Sequence, residues 1–334
     1  MLSITKSRSF LRIQLCRHFH SSNIVFNDAA PRKASLANLR KATGFSILQC
    51  KKALEKFPDD MEKAEAWLNE QAAEQGWAKA NKLGHRPMSQ GLIGVLKKDS
   101  MGIMVEVNCE TDFVARNDKF RGLVGKVTSA CFHHVKDSSE DKVSLTKEAL
   151  SAVPTPEGNV GDAVALVVGS VGENMAVRRA AFFRAPEGSL LSSYVHAVGA
   201  SHVDEGDCLL GKYASFVLTK PAELTASENV TEATAGETAT KETEEEDEDD
   251  KMDPADLGRR LSQQVVGMNP LTLGDLQTDK PSDDKGEETR FLFQEYQFNT
   301  EKTIKDVLLE NQAMVTDFVR YECGEELSEE ASSS

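Results

Sequence analysis

Asp112 and Phe113 stand side by side near the end of the stretch "VEVNCETDFVARN" (105–117), where Val105 and Val107 flank Glu106. Alternation at period two reads as a half-buried strand. A carboxylate and an aromatic ring are therefore delivered together where a strand gives way to a turn. Two uses compete for them. Phe113 packs inward as the first core residue of a following helix with Asp112 as its cap, or the pair projects outward as a probe for another molecule.

Other residues that could do chemistry do not assemble into a motif. "GLVGKVTS" (122–129) has two residues between its first glycine and Gly-Lys, where a phosphate-binding P-loop needs four. The stretch also has the pattern of mid-helix. His133 and His134 are adjacent, so on a helix they point about 100° apart and share an ion poorly. There is no GxGxxG, GxSxG or HExxH. A Cys/His nucleophilic pair, such as Cys109 with His196, is the remaining enzymatic reading. The six cysteines are scattered with no CxxC spacing, which suits free thiols in a reducing compartment better than zinc ligands or a disulfide framework. No cofactor or metal set is expected. The pattern is that of a binding protein, and no enzyme activity is expected.

The elements that must position these residues follow from patterning. Residues 1–27 carry Lys6, Arg8, Arg12 and Arg17, several serines and no acid. An amphipathic, basic, acid-poor leader of this kind reads as an organelle transit peptide. Residues 34–77 read as three short helices. Ser46 caps "ILQCKKALEKF", which has Ile47, Cys50, Leu54 and Phe57 on one face, and Asp60 caps a helix with Met61, Ala64, Leu68 and Ala72 on one face. Residues 78–87 form a basic linker helix or tether.

A hairpin around "DSMG" follows, then a helix over 118–135 with a Phe120, Leu123, Val127 and Cys131 stripe, capped by Asn117 or Asp118. Residues 161–171 are ambiguous between buried helix and strand. Strands are expected around 175–183, 192–199 and 211–219. Residues 221–254 are low in complexity, and eight of the nine residues from Glu242 to Asp250 are acidic. Such a run self-repels and reads as a disordered insertion. After 255, order returns at "DLGRRLSQQVVGMNP". "FLFQEYQF" reads as a strand, Thr300 or Thr303 caps a helix carrying Ile304, Val307, Leu308 and Met314, and "VTDFVRYEC" reads as a final strand. The net charge of −15 argues against direct nucleic-acid binding. No apolar run reaches the eighteen residues of a membrane-spanning helix.

Two long motifs carry a resemblance. Leu39-Arg40, Thr43-Gly44 and Cys50-Lys51-Lys52-Ala53-Leu54 form the first, and the nearly unbroken Asn108-Cys109-Glu110-Thr111-Asp112-Phe113-Val114-Ala115 the second. With "GENMAVRRA" (172–180), "SSYVH" (192–196) and "VTDFVRYECGE" (315–325), the chain resembles the translation elongation factor Ts family over residues 36–220 and 255–327. The resemblance implies an α+β fold: a ubiquitin-associated-like helical bundle at 34–77, then two α/β core subdomains with small antiparallel sheets, at 88–152 and at 158–220 with 255–327. It also favours helix for 161–173.

By the same resemblance the chain is a guanine nucleotide exchange factor for elongation factor Tu, acting in the mitochondrial matrix. Asp112 and Phe113 then wedge into the partner near its magnesium and phosphate site. Arg40, Ile47, Leu48 and Lys51 match bundle contacts, though Ile47 also reads as core. Val171, Gly172 and His196 match core contacts, though His196 also reads as a plain strand residue. The helical hairpin that bacterial members use for self-association has no obvious counterpart, which implies a one-to-one complex. A different reading is a ubiquitin-associated-type adaptor, binding helices or modifiers through Thr43-Gly44-Phe45.

Overall fold

A computed structural model describes residues 29–58, 60–156, 158–203, 207–222 and 251–327. The leader at 1–27 and nearly all of the acidic insertion lie outside these residues. Three helices come first: α1 (Ala29–Thr43), α2 (Ile47–Lys56) and α3 (Met61–Leu83). Ser46 starts α2 with a reciprocal capping box to Gln49, and Asp60 caps α3 through Lys63 N–H. Leu39, Phe45, Cys50, Ala53, Ala64, Leu68 and Ala72 form the seam between them. Ile47 lies in the first turn of α2, ahead of that seam, and is 53% exposed. Its reading as a core residue is therefore corrected. The basic stretch after residue 77 continues α3 as far as Leu83, and 84–87 form a turn leading to the first strand.

The strands β1 (Gln90–Lys98) and β2 (Met101–Cys109) form the expected hairpin, turning at Asp99, whose φ is 51°. Asp tolerates that left-handed conformation better than most residues. Next come α4 (Asp112–Ala115), α5 (Asp118–Val135), β3 (Lys142–Leu145), α6 (Lys147–Ala152), the two-residue strands β4 (Pro154–Thr155) and β5 (Gly158–Asn159), and α7 (Val160–Val171). The ambiguous apolar stretch is thus helix. An Asn159–Asp162 capping box opens it, and Gly172, with φ of 87°, closes it. It packs on α3 at backbone distance: a Cβ built on Gly169 would sit 2.6 Å from the Ala72 carbonyl oxygen.

The chain continues with β6 (Met175–Arg184), β7 (Leu190–Val203), β8 (Cys208–Pro221), α8 (Pro254–Met268), β9 (Glu295–Tyr296), β10 (Asn299–Thr303), α9 (Ile304–Glu310) and β11 (Ala313–Glu322). The α+β class with antiparallel sheets is what forms. The two core units are less separate than patterning suggests, because strands from both join one seven-stranded sheet. Its order is β11-β8-β1-β2-β6-β3, with β7 paired to β8. The long β8 takes β7 along one edge. Its other edge is shared by β1, at residues 209–211, and β11, at 213–221.

Two local expectations are corrected near the carboxyl end. "FLF" is a turn of 3-10 helix, leaving only Glu295–Tyr296 as strand. Met314 belongs to β11, paired with Lys220, because α9 stops at Glu310. Thr303 is the cap of α9, in a capping box with Asp306. Apolar clusters fill both sheet faces, one against α5 and α7, and a third holds α8 and α9 on the β8–β11 edge.

The loop between α8 and β9 is held by Glu288, which accepts hydrogen bonds from Arg290 and from the Ser282 backbone N–H at 2.8–2.9 Å. The Arg290 guanidinium beside it holds its carboxyl down at about 2, against an ordinary 4.5. A group depressed in the folded state contributes stability above its unfolded pKa and loses it as pH falls through the folded value. In urea titrations, the stability gap between the native chain and Glu288→Gln is expected to be full above pH 4.5 and to close toward pH 2. A gap constant over that range would refute the role of this carboxylate.

Candidate functional site

Phe113 is 79% exposed, the most exposed large hydrophobic side chain among the described residues. The inward-packing reading therefore fails, and the reason is local. Thr111, not Asp112, caps α4, its hydroxyl accepting the Val114 N–H at 3.3 Å. In this single turn Val114 and Ala115 face the core and Phe113 faces out. Asn117 then caps α5, so two helix starts follow within six residues and leave the ring on the corner between them. Asp112 pairs with Arg116 at 3.1 Å, both side chains exposed. Such a pair is worth at most about 1 kcal/mol and is easily exchanged for another partner. Beside the ring runs an open groove of about 640 Å³ whose lining includes Gln90, Glu110, Phe113, Arg116, Arg121 and Lys212.

A chain of contacts leads from this turn to the bundle. Thr111 Oγ1 donates to Glu173 Oε2 at 2.9 Å, and Glu173 follows the Val171–Gly172 corner of α7. One turn back, the Gly169 carbonyl accepts from Lys79 Nζ at 2.8 Å and Gln49 Nε2 at 3.4 Å. Gln49 stands in the first turn of α2 beside Ile47 and Leu48, which are 53% and 64% exposed. The structure thus brings Ile47, Leu48, Val171, Gly172, Asp112 and Phe113 into one connected series. Arg40 and Lys51 are exposed on the same bundle. His196 is exposed on β7, its ring 6.1 Å from Tyr213, outside the groove beside Phe113. Sequence reasoning gives Glu110 no role beyond that of a second carboxylate at the strand end, and it misses Thr111, Glu173 and Arg86 as site residues. Only Thr111 carried a signal, as a capping residue type ahead of a helix.

Two rival readings meet physical obstacles. Cys109 is fully buried, and burial pushes its thiol up to about 12. A thiol held protonated is no nucleophile. The adaptor surface fares no better: Thr43 and Phe45 are buried, and Lys119 Nζ lies 3.8 Å from the centre of the Phe45 ring. Gly44, with φ of 66°, is packed against the Lys119 side chain. Among the described residues no cluster of His, Cys, Asp and Glu has the arrangement to hold a metal ion, and no helix is long and apolar enough to cross a membrane.

A family model described as elongation factor Ts, mitochondrial, N-terminal matches residues 16–78, and one described as elongation factor TS matches residues 110–325. The chain belongs to the elongation factor Ts family. Elongation factor Ts, mitochondrial, of Aedes aegypti is 40% identical over 304 residues, covering 90% of each chain. Its counterpart in Branchiostoma floridae is 38% identical over 319 residues, covering 88% of this chain and 89% of its own. That of Bos taurus is 38% identical over 316 residues, covering 92% and 84%. Elongation factor Ts is a translation elongation factor, and the second family match begins two residues before Asp112, inside the braced turn.

Proposed function

We propose that the chain is a guanine nucleotide exchange factor that binds mitochondrial elongation factor Tu one-to-one in the mitochondrial matrix and promotes release of its GDP. The observation that carries this reading is the exposed Phe113 ring, held on a braced turn in a chain of the elongation factor Ts family. The leader at 1–27 is its transit peptide, the bundle at 34–77 its ubiquitin-associated-like module, and 88–152 and 158–327 its core, interrupted by the acidic insertion.

The physics is linkage. A factor that favours the nucleotide-free partner over the GDP-bound one weakens GDP by the same factor. Moving such an equilibrium from 1:99 to 99:1 takes about 5.5 kcal/mol of differential affinity. A buried phenylalanine supplies roughly 1.5–3 kcal/mol of that. The remainder comes from the wider surface: Ile47, Leu48, Arg40 and Lys51 on the bundle, and Val171, Gly172 and His196 on the core. Phe113 enters between helices of the GTPase domain. Together with Asp112, released from Arg116, it disturbs the setting of the magnesium ion and phosphate loop.

The test is release of fluorescent GDP from mitochondrial elongation factor Tu. The native chain is expected to accelerate it in a saturable way. Release at the spontaneous rate under saturating factor would defeat the proposal.

A further inference from the structure

The turn that carries Phe113 cannot hold itself in place. A helix of four residues is far below the length at which helices are stable alone, and an outward ring gains no packing from its own protein. Val114 and Ala115 seat its inner side in the core, and the rest of the support comes from the neighbouring strand end. Strands β2 and β6 pair up to Cys109↔Met175. Beyond that rung the backbones part, and side chains continue the ladder. Glu110 Oε1 accepts the Asn174 N–H at 2.7 Å, and Thr111 Oγ1 donates to Glu173 Oε2 at 2.9 Å. Arg86 closes the outer side, its guanidinium 3.2 Å from Glu110 and its carbonyl accepting from Asn174 Nδ2 at 3.1 Å.

Thr111 therefore has two tasks at once. Its oxygen caps α4 through the Val114 N–H, and its proton goes to Glu173. Glu173 is aimed by the left-handed Gly172 that ends α7.

We propose that Thr111 and Glu173 are positioning residues for exchange, their hydrogen bond setting the attitude of the Phe113 turn and locking it to the Val171–Gly172 corner. This rests on the exchange reading above. It adds that the ring and the corner move as one body, so that binding of the corner delivers the ring. Neither Thr111 nor Glu173 needs to touch the partner. Loss of the brace leaves the contact surface intact and lets the ring swing, so the penalty falls on the rate within the complex rather than on its formation.

GDP release is measured over a range of factor concentrations with the full chain carrying Glu173→Ala, Glu173→Gln, Thr111→Val or Phe113→Ala, with melting temperatures taken alongside. A hydrogen bond to a charged group supports an expected loss of about tenfold in the maximal release rate for Glu173→Ala. The half-saturating concentration stays within about threefold of native, since uniform binding is untouched. Glu173→Gln keeps an acceptor for the Thr111 proton and restores the rate to within about threefold of native. Should Glu173→Ala not fold, Thr111→Val is read in its place against Thr111→Ser.

A native maximal rate for Glu173→Ala overturns the proposal. So does a weakened half-saturation with an unchanged maximum in both Glu173 variants, which would make Glu173 a partner contact. A native rate for Phe113→Ala defeats the wedge itself. A slow Phe113→Ala beside a fast Glu173→Ala defeats only the brace.

Discussion

Phe113→Ala is expected to fold as the native chain does, bind the GTPase, and release its GDP at least about tenfold more slowly at saturation. The magnitude follows from about 1.5–3 kcal/mol for burying a phenylalanine, at 1.36 kcal/mol per factor of ten in rate. The energy appears in the rate because the ring is buried only once the partner has opened. An interaction made solely in that state lowers the barrier without tightening the encounter. Folding is spared because the ring is 79% exposed and supports nothing in its own chain. Phe113→Leu should recover part of the loss, since an apolar side chain remains. A Phe113→Ala chain with a native release curve would leave the exposed ring without a role in exchange.

Glu106→Ala is expected to cost about 3–5 kcal/mol of stability, the range for removing one partner of a buried ion pair. Glu106 is completely inaccessible. Its carboxylate accepts from Arg179 Nε at 2.7 Å, Arg178 Nη1 at 3.2 Å, Asn108 Nδ2 at 3.0 Å and the Gly324 N–H at 2.8 Å. Two consecutive arginines reach one carboxylate because the β2–β6 register slips there. Glu106 opposes Arg179 while Val107 opposes Val177, which leaves Arg178 bulged. Arg179 also pairs with Glu325 and lies 3.8 Å from the Tyr321 ring centre. Truncating Glu106 leaves Arg179 with only its Glu325 and Glu322 hydrogen-bond partners, takes the carboxylate partner from Arg178, and removes the acceptor of the Gly324 N–H. Chemical denaturation of the variant against the native protein measures the loss, and a difference under about 1 kcal/mol, the size of an exposed pair, would show that the network is dispensable.

What could be read from the sequence was what local chemistry decides. Ser46, Asp60, Asn117 and Thr303 cap helices because a cap is settled within three residues. The β1–β2 hairpin is equally local. The outward turn of Phe113 was not legible from periodicity, since one helical turn contains no period. Residues 160–171 were ambiguous because a helix enclosed by α3 and α5 has lost the polar face that marks its repeat. Met314 continued the apolar spacing of α9, and only pairing with Lys220, far off in sequence, makes it strand. Ile47 shared the spacing of Cys50 and Leu54 but lies ahead of the seam they build. The Thr111–Glu173 bond spans 62 positions and leaves no trace in either neighbourhood.

The β8–β11 pairing makes the carboxyl-terminal strand part of the structure's foundation. β11 closes one edge of the sheet, and Gly324 brings a backbone donor to a carboxylate 218 positions earlier in the chain. Until β11 has docked, Arg178 and Arg179 face Glu106 without the Gly324 N–H that completes the shell around its carboxylate. A chain lacking that segment leaves its central charges open to water. Topologies closed by such distant segments also assemble slowly, so the same strand that seals the charge cluster is the one the folding chain must wait for.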